Sequence, residues 1–174
     1  MSEVRQRSIR IIFDLQACQT PGSANRGVGR YSKSLFESIS EIATPRQVCA
    51  LIREDQVEPL RLPRIPKSRL LRLRQLPSIE TDRFFLGGEQ DAIDSHLYSA
   101  TTSAASPDVL HISHVFEGFK DRVAVPNINY MSAGQVISAT LYDLIPLRFP
   151  DLYFRDTEFK RWYFNRLSLY YRAD

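Results

Sequence analysis

The 174-residue sequence contains no run of about 18 apolar residues, the length a helix needs to cross a bilayer, so no membrane span is expected. Its opening residues, MSEVRQRS, are polar and lead straight into a short apolar run. Without an apolar h-region or a cleavage site they do not read as a secretory signal. Cysteine is scarce. Cys18 and Cys49 fit neither metal nor redox spacing and make no disulfide framework, so reduced thiols in a cytoplasmic protein are expected. There is no internal repeat and no low-complexity tract. Neither sign of charge dominates: 23 Lys and Arg against 20 Asp and Glu leave +3, which permits an anionic partner without requiring one. With 43% hydrophobic and 25% charged residues, wholesale disorder is excluded. The length fits one domain with a core of its own.

What is present alternates. Ile11, Ile12 and Phe13 form a short β-branched and aromatic run that reads as a buried strand. Val28, Tyr31, Leu35, Ile39 and Ile42 then recur at helical spacing, with Lys33, Glu37 and Ser40 off that face. Pro45 stops the helix, and QVCALIRE from Gln47 reads as a second strand. In the middle, LLRLRQL suggests an edge strand. Gly87-Gly88 opens a helix from Glu89 to Ala104 with Ala92, Ile93, Leu97 and Ala100 inward. PDVLHISHVF and QVISATLYDLIPL give two more strands. Asp151 is placed to cap a last helix running to Arg172, with Phe159, Tyr163, Leu167 and Tyr170 on one side. This order predicts a Rossmann-like, doubly wound parallel α/β sheet in a single domain over 1–174. Ligands in such sheets bind beyond the carboxyl ends of the strands, where the Gly-rich loop, HVFEGF and YDLIP all fall. The chain ends at YYRAD, where this fold ordinarily runs into another strand, so a longer two-domain protein is expected.

The loop CQTPGSANRGVGRY carries Gly22, Gly27 and Gly29. Gly22 and Gly27 have Walker spacing, but Val28-Gly29 stands where Lys and Ser or Thr are needed, so that motif fails. A dinucleotide fingerprint fails too, because Ser32 replaces its third glycine and the loop is too long. Two general readings remain. Gly27 and Gly29 at a helix N-terminus let backbone N–H groups approach an anion, with Arg26 and Arg30 adding charge. A flexible turn without a ligand uses glycines equally well.

Together, QACQTPGSANRGVGRYSKSL, DVLHISHVFEGF, ATLYDLIPLRFPDLY and RWYFNRLSLYYRAD resemble the N-terminal half of bacterial family 4 (group 1) glycosyltransferases. The nearest flavour is the mannosyltransferase-like enzymes of polysaccharide biosynthesis. The resemblance runs from Ile9 to Asp174 in order, with the Arg-rich middle as a variable region. It implies half of a GT-B fold, the acceptor-side domain of a retaining hexosyltransferase that needs no metal or other cofactor. Its partners would be a nucleotide-sugar donor and a glycan or lipid-linked acceptor. The C-terminal domain with its E-x7-E motif is not in this sequence, so the piece by itself should be inactive.

Carried over, Gly27 and Gly29, with Arg26 and Arg30, match the loop that approaches the donor diphosphate. Asp143 matches the acid of a His-Asp pair and is the candidate catalytic residue. Tyr142 stands where relatives have His. His114, Glu117 and Gly118 fall where the acceptor side of the cleft is lined. His111 and His114 form an H-x-x-H whose members, on a strand, face opposite ways and do not chelate together. His111 reads as structural, and Asp14 as either a turn-former or a site residue. Arg61, Arg64, Lys67, Arg69, Arg72 and Arg74 occur without an acid among them. They suit an anionic membrane surface or a solvated edge, and they suit nucleic acid poorly because Phe84 and Phe85 lie outside the run. The competing classes are a non-catalytic Rossmann-like module that binds a phosphorylated or sugar ligand, and a peripheral membrane scaffold.

Overall fold

The structure, a computed structural model, describes residues 8–44, 47–55, 66–74, 87–119, 123–127 and 134–172. Five strands form one all-parallel sheet: β1 (Ile11–Asp14), β2 (Val48–Arg53), β3 (Leu70–Leu73), β4 (Val109–Ile112) and β5 (Val136–Ala139). Their order is β3-β2-β1-β4-β5, so β1 is central and the LLRL strand is an edge, as its basic composition suggests. The chain winds outward from β1 through β2 to β3, then returns across β1 to β4. That reversal makes the crevice between β1 and β4 the switch point of the sheet. Register follows the pleat: Ile12 pairs with Cys49 and Leu110, and Phe13 with Ala50 and His111.

The pleat splits the core in two. On one face Ile12, Leu51, Leu73, Leu110, Ile112 and Ile137 pack with Tyr98 of α2 (Gly87–Ala104). On the other, Phe13, Val48, Ala50 and Ile52 pack with Phe36 of α1 (Gly27–Ile42). Helices on both faces complete the Rossmann-like plan. After β5 come two single-turn helices, α3 (Ile145–Arg148) and α4 (Pro150–Tyr153), and then α5 (Thr157–Leu167). A third cluster joins Tyr163 and Leu167 of α5 to Phe116.

Helix faces depart from the periodicity. In α1 the buried residues are Gly29, Ser32 and Phe36, while Tyr31 and Ile42 are exposed. The helix starts against its own loop, and that rotates its inner face. In α2 Ala92, Ile93 and Ala100 are exposed, and Asp94, Tyr98, Ser99 and Thr102 are buried. That inner face is polar because it holds another segment's backbone. Ser95 Oγ donates to Val125 O at 2.7 Å, and Ser99 Oγ accepts from Asn127 N at 2.9 Å. The final helix is capped by Asp156, not Asp151; its carboxylate accepts from Glu158 N and Phe159 N. Asp151 lies within α4, and past Leu167 only a short 3-10 turn at Tyr170–Arg172 follows. The last strand is four residues, shorter than QVISATLYDLIPL suggests, and its C-terminal part instead forms a loop and then a helical turn from Ile145 with Pro146 inside it. Pro45, Arg61, Arg64, Phe84 and Phe85 lie outside the described residues.

Candidate functional site at the carboxyl edge

The Gly-rich loop is fastened before it reaches α1. Gln19 brackets Arg53 at the end of β2, accepting from its N–H at 2.7 Å and donating to its carbonyl at 3.0 Å. Ser23 O then accepts from Arg26 N at 2.9 Å and Gly29 N at 3.2 Å. That approach requires Gly29, since a Cβ there would lie 2.3 Å from Ser23 O. Around Gly27 there is nothing within 4 Å of the same position. The cap residue, Arg26, supplies no side-chain bond, so the N–H groups of Gly27 and Val28 open the helix without a partner among the described residues. Arg26 and Arg30 are exposed beside them. Unpartnered N–H groups and the positive end of the helix dipole thus face the same side as two exposed arginines.

The loop after β4 closes on the first. Glu117 is buried and accepts from Thr20 Oγ1 and Ser23 Oγ, both at 2.7 Å. One carboxylate therefore ties HVFEGF to the Gly-rich loop. Gly118 has φ +92°, and a Cβ there would meet Val123 N at 2.3 Å, so only glycine lets the chain double back. His114 lies just beyond β4, with Nε2 3.7 Å from Glu117 Oε2. Burial pushes its imidazole down to about 4, so it is neutral at physiological pH. His111 stays on the strand, its Nδ1 2.9 Å from Ser138 Oγ and its Nε2 3.2 Å from Thr140 Oγ1. The two histidines of the H-x-x-H therefore have separate partners, His111 on the strand and His114 beside Glu117. No cluster of three or more potential metal ligands occurs among the described residues.

The loop after β5 brings Tyr142 and Asp143. A file of rings runs across the site: Tyr31, Tyr142, His114, Phe116 and Tyr163, with successive centroids 5.9, 5.4, 6.3 and 4.4 Å apart. Asp143 is exposed at φ +55°, a left-handed conformation that aspartate tolerates better than most residues. Helix α5 and the 3-10 turn after it hold that loop by two phenols: Tyr163 OH donates to Asp143 O at 2.9 Å, and Tyr170 OH donates to Thr140 O at 2.7 Å. The residues expected at the site thus come together at the ends of three adjacent strands.

Below them lies a polar network that periodicity does not reveal. Asp14 is buried and accepts from Gln16 N, Gln16 Nε2 and Tyr98 OH at 2.8–2.9 Å. Burial raises its carboxyl to about 6 despite these bonds. Gln16 also donates to Ala124 O at 2.9 Å, and the buried Arg166 donates to Val123 O at 2.7 Å. Residues 123–127, with no ladder of their own, are carried by side chains of β1's end, α2 and α5. The one sequence signal for this is the stripe Ser95, Ser99 and Thr102 along α2.

An all-parallel sheet wound in both directions, with helices on both faces, defines a Rossmann-like domain. No protein-family model matches the chain, and no solved structure matches it. Among curated proteins it is similar to the serotype-specific mannosyltransferase WbdA of Escherichia coli, at 26% identity over 185 aligned positions. The alignment covers 95% of this chain but 20% of that protein, so the chain spans about a fifth of its relative's length. No helix among the described residues is long and apolar enough to cross a membrane.

Proposed function

We propose that the chain is the acceptor-side domain of a retaining, metal-independent GT-B glycosyltransferase of family 4. It would move a hexose, with mannose the first candidate, from a nucleotide-sugar to a glycan or lipid-linked acceptor in the cytoplasm or at the membrane's inner face. The similarity to a mannosyltransferase supports the reaction class. The observation that carries the reading is the pair of open N–H groups at Gly27 and Val28, beside the loops that hold His114 and Asp143.

Cleaving a sugar–diphosphate bond builds negative charge on the leaving phosphate. Fixed N–H donors and the helix dipole oppose that charge without reorganising, and Arg26 and Arg30 add to the field. In this reading Asp143 is the acid that faces the transferring sugar. His114, Glu117, Gly118 and Tyr142 form the acceptor side. Turnover needs a second domain to present the donor.

In the natural full-length protein, Gly27→Val should cut transfer at least tenfold and leave the melting temperature nearly unchanged, because open space surrounds the position. A panel of nucleotide-sugars with a radiolabelled acceptor assay measures this. Unchanged transfer removes the phosphate role. Ligand binding without transfer by any form of the protein favours the non-catalytic module.

A further inference from the structure

Glu117 is a carboxylate at 6% exposure, and both of its oxygens are engaged by one distant loop. Oε1 accepts from Thr20 Oγ1 and Oε2 from Ser23 Oγ, each at 2.7 Å and more than 90 residues away in sequence. Oε2 also lies 3.7 Å from His114 Nε2. A buried carboxylate is costly unless its oxygens are filled, and two hydroxyls of the Gly-rich loop fill them.

What these bonds hold is specific. The carbonyl of Ser23 accepts from Arg26 N at 2.9 Å and from Gly29 N at 3.2 Å. Those two residues stand on either side of the open N–H groups of Gly27 and Val28. The carbonyl of Thr20 accepts in turn from Ser23 N at 3.1 Å and Ala24 N at 2.9 Å. Nor is there slack at the contact, since a Cβ on Gly29 would lie 2.3 Å from Ser23 O. A shift of Ser23 therefore carries the first turn of α1 with it.

The charge of Glu117 works against this helix end. A carboxylate near a bound anion weakens that anion by Coulomb repulsion. A sugar contact does not account for the residue either, because it is buried and both oxygens are engaged. Geometry is the contribution left to it.

We propose that Glu117 is a positioning residue for the phosphate-receiving end of α1. From the loop after β4 it fixes Ser23, and through Ser23 it sets the direction of the Gly27 and Val28 N–H groups. This rests on the phosphate reading of that helix end. It also gives Glu117, which lies on the loop read as acceptor side, a task on the donor side.

The test is a titration of the ¹⁵N-labelled 174-residue chain with inorganic pyrophosphate, followed at the Gly27 and Val28 amide resonances. Glu117→Gln keeps the shape of the side chain and removes its charge. It should weaken pyrophosphate about fivefold, the worth of one hydrogen bond, whereas loss of a repelling charge alone would tighten it. Ser23→Ala keeps the carbonyl, loses only the hydroxyl, and should weaken binding by a similar factor. The double variant should be no weaker than the weaker single, because both changes cut the same link. Ser23 is only half-buried, so its variant decides the matter should the buried Gln variant fail to fold. A residue that merely stabilises the fold lowers the urea midpoint and leaves the affinity of the folded chain unchanged. Parent-like or tighter binding in the variants overturns the positioning role, as do additive losses. A parent chain whose Gly27 and Val28 resonances ignore pyrophosphate removes the phosphate reading and this role with it. Transfer by the full-length protein with parent-like binding in both variants leaves the enzyme reading standing and fails the role of Glu117. Weakened binding in the variants without transfer by the full-length protein does the reverse.

Discussion

Gly27 and Gly29 are two residues apart and do different work. Gly29 is where α1 presses on its own loop: a Cβ would lie 2.3 Å from Ser23 O and 2.7 Å from Ala24 O, both backbone atoms that cannot swing away. Gly29→Ala should therefore cost about 2 kcal/mol of stability, a typical overpacking penalty, read by urea denaturation. Gly27→Ala meets open space and should stay within about 0.5 kcal/mol of the parent. Equal costs at the two positions would contradict this division. The motif RGVGR identifies both glycines as unusual, but it does not say which one the fold requires and which one leaves room for a ligand.

Helix α5 shows how an element far along the chain fixes a site it does not line. Its N-terminus is capped by Asp156, whose Oδ1 accepts from Glu158 N at 2.8 Å and Phe159 N at 3.1 Å. Nearly two turns in, Tyr163 stacks on Phe116 with ring planes 4° apart and holds Asp143 O. Asp156→Ala should cost about 1 kcal/mol, as cap removal does, and should raise amide exchange at Asp143 together with that of α5. Exchange that rises in α5 alone would mean the loop keeps its shape without the helix. Helix α2 makes the complementary point. A stripe of serine and threonine reads as solvent-facing, yet it is buried because residues 123–127 need donors and acceptors that no strand supplies.

Over the whole molecule, two buried groups give stability opposing responses to pH. Asp14 titrates near 6 when folded and near 3.8 when unfolded, so the folded state holds more protons between those values and loses stability as pH rises through them. His114 titrates near 4 folded and 6.5 unfolded, so the unfolded state takes the proton first and stability falls as pH drops through that window. Each slope approaches about 1.4 kcal/mol per pH unit, and between pH 4 and 6 they largely cancel. Asp14→Asn should unmask the histidine, so that stability climbs with pH from 4 to 6.5. His114→Gln should unmask the aspartate and reverse the slope. Urea denaturation at half-unit pH steps checks both, and a wild-type slope that survives Asp14→Asn unchanged would place the proton elsewhere.

The order of elements, the parallel sheet, the basic edge strand and the gathering of three loops at one edge were determined by sequence alone. Short β-branched runs, helical spacing and glycine placement are local signals, and the winding rules for such units leave few alternatives. Which face each helix buries was decided only by the tertiary structure. So were the capping of α5 by Asp156, the raised carboxyl of Asp14 and the bonds of Glu117 to Thr20 and Ser23. Periodicity weighs a helix against a generic apolar core. The partners that decided these cases come from elsewhere in the chain: Tyr98 is 84 residues from Asp14, and Arg166 is 43 from Val123. Burial of a polar group becomes favourable only when such a partner arrives, and no local pattern encodes its arrival.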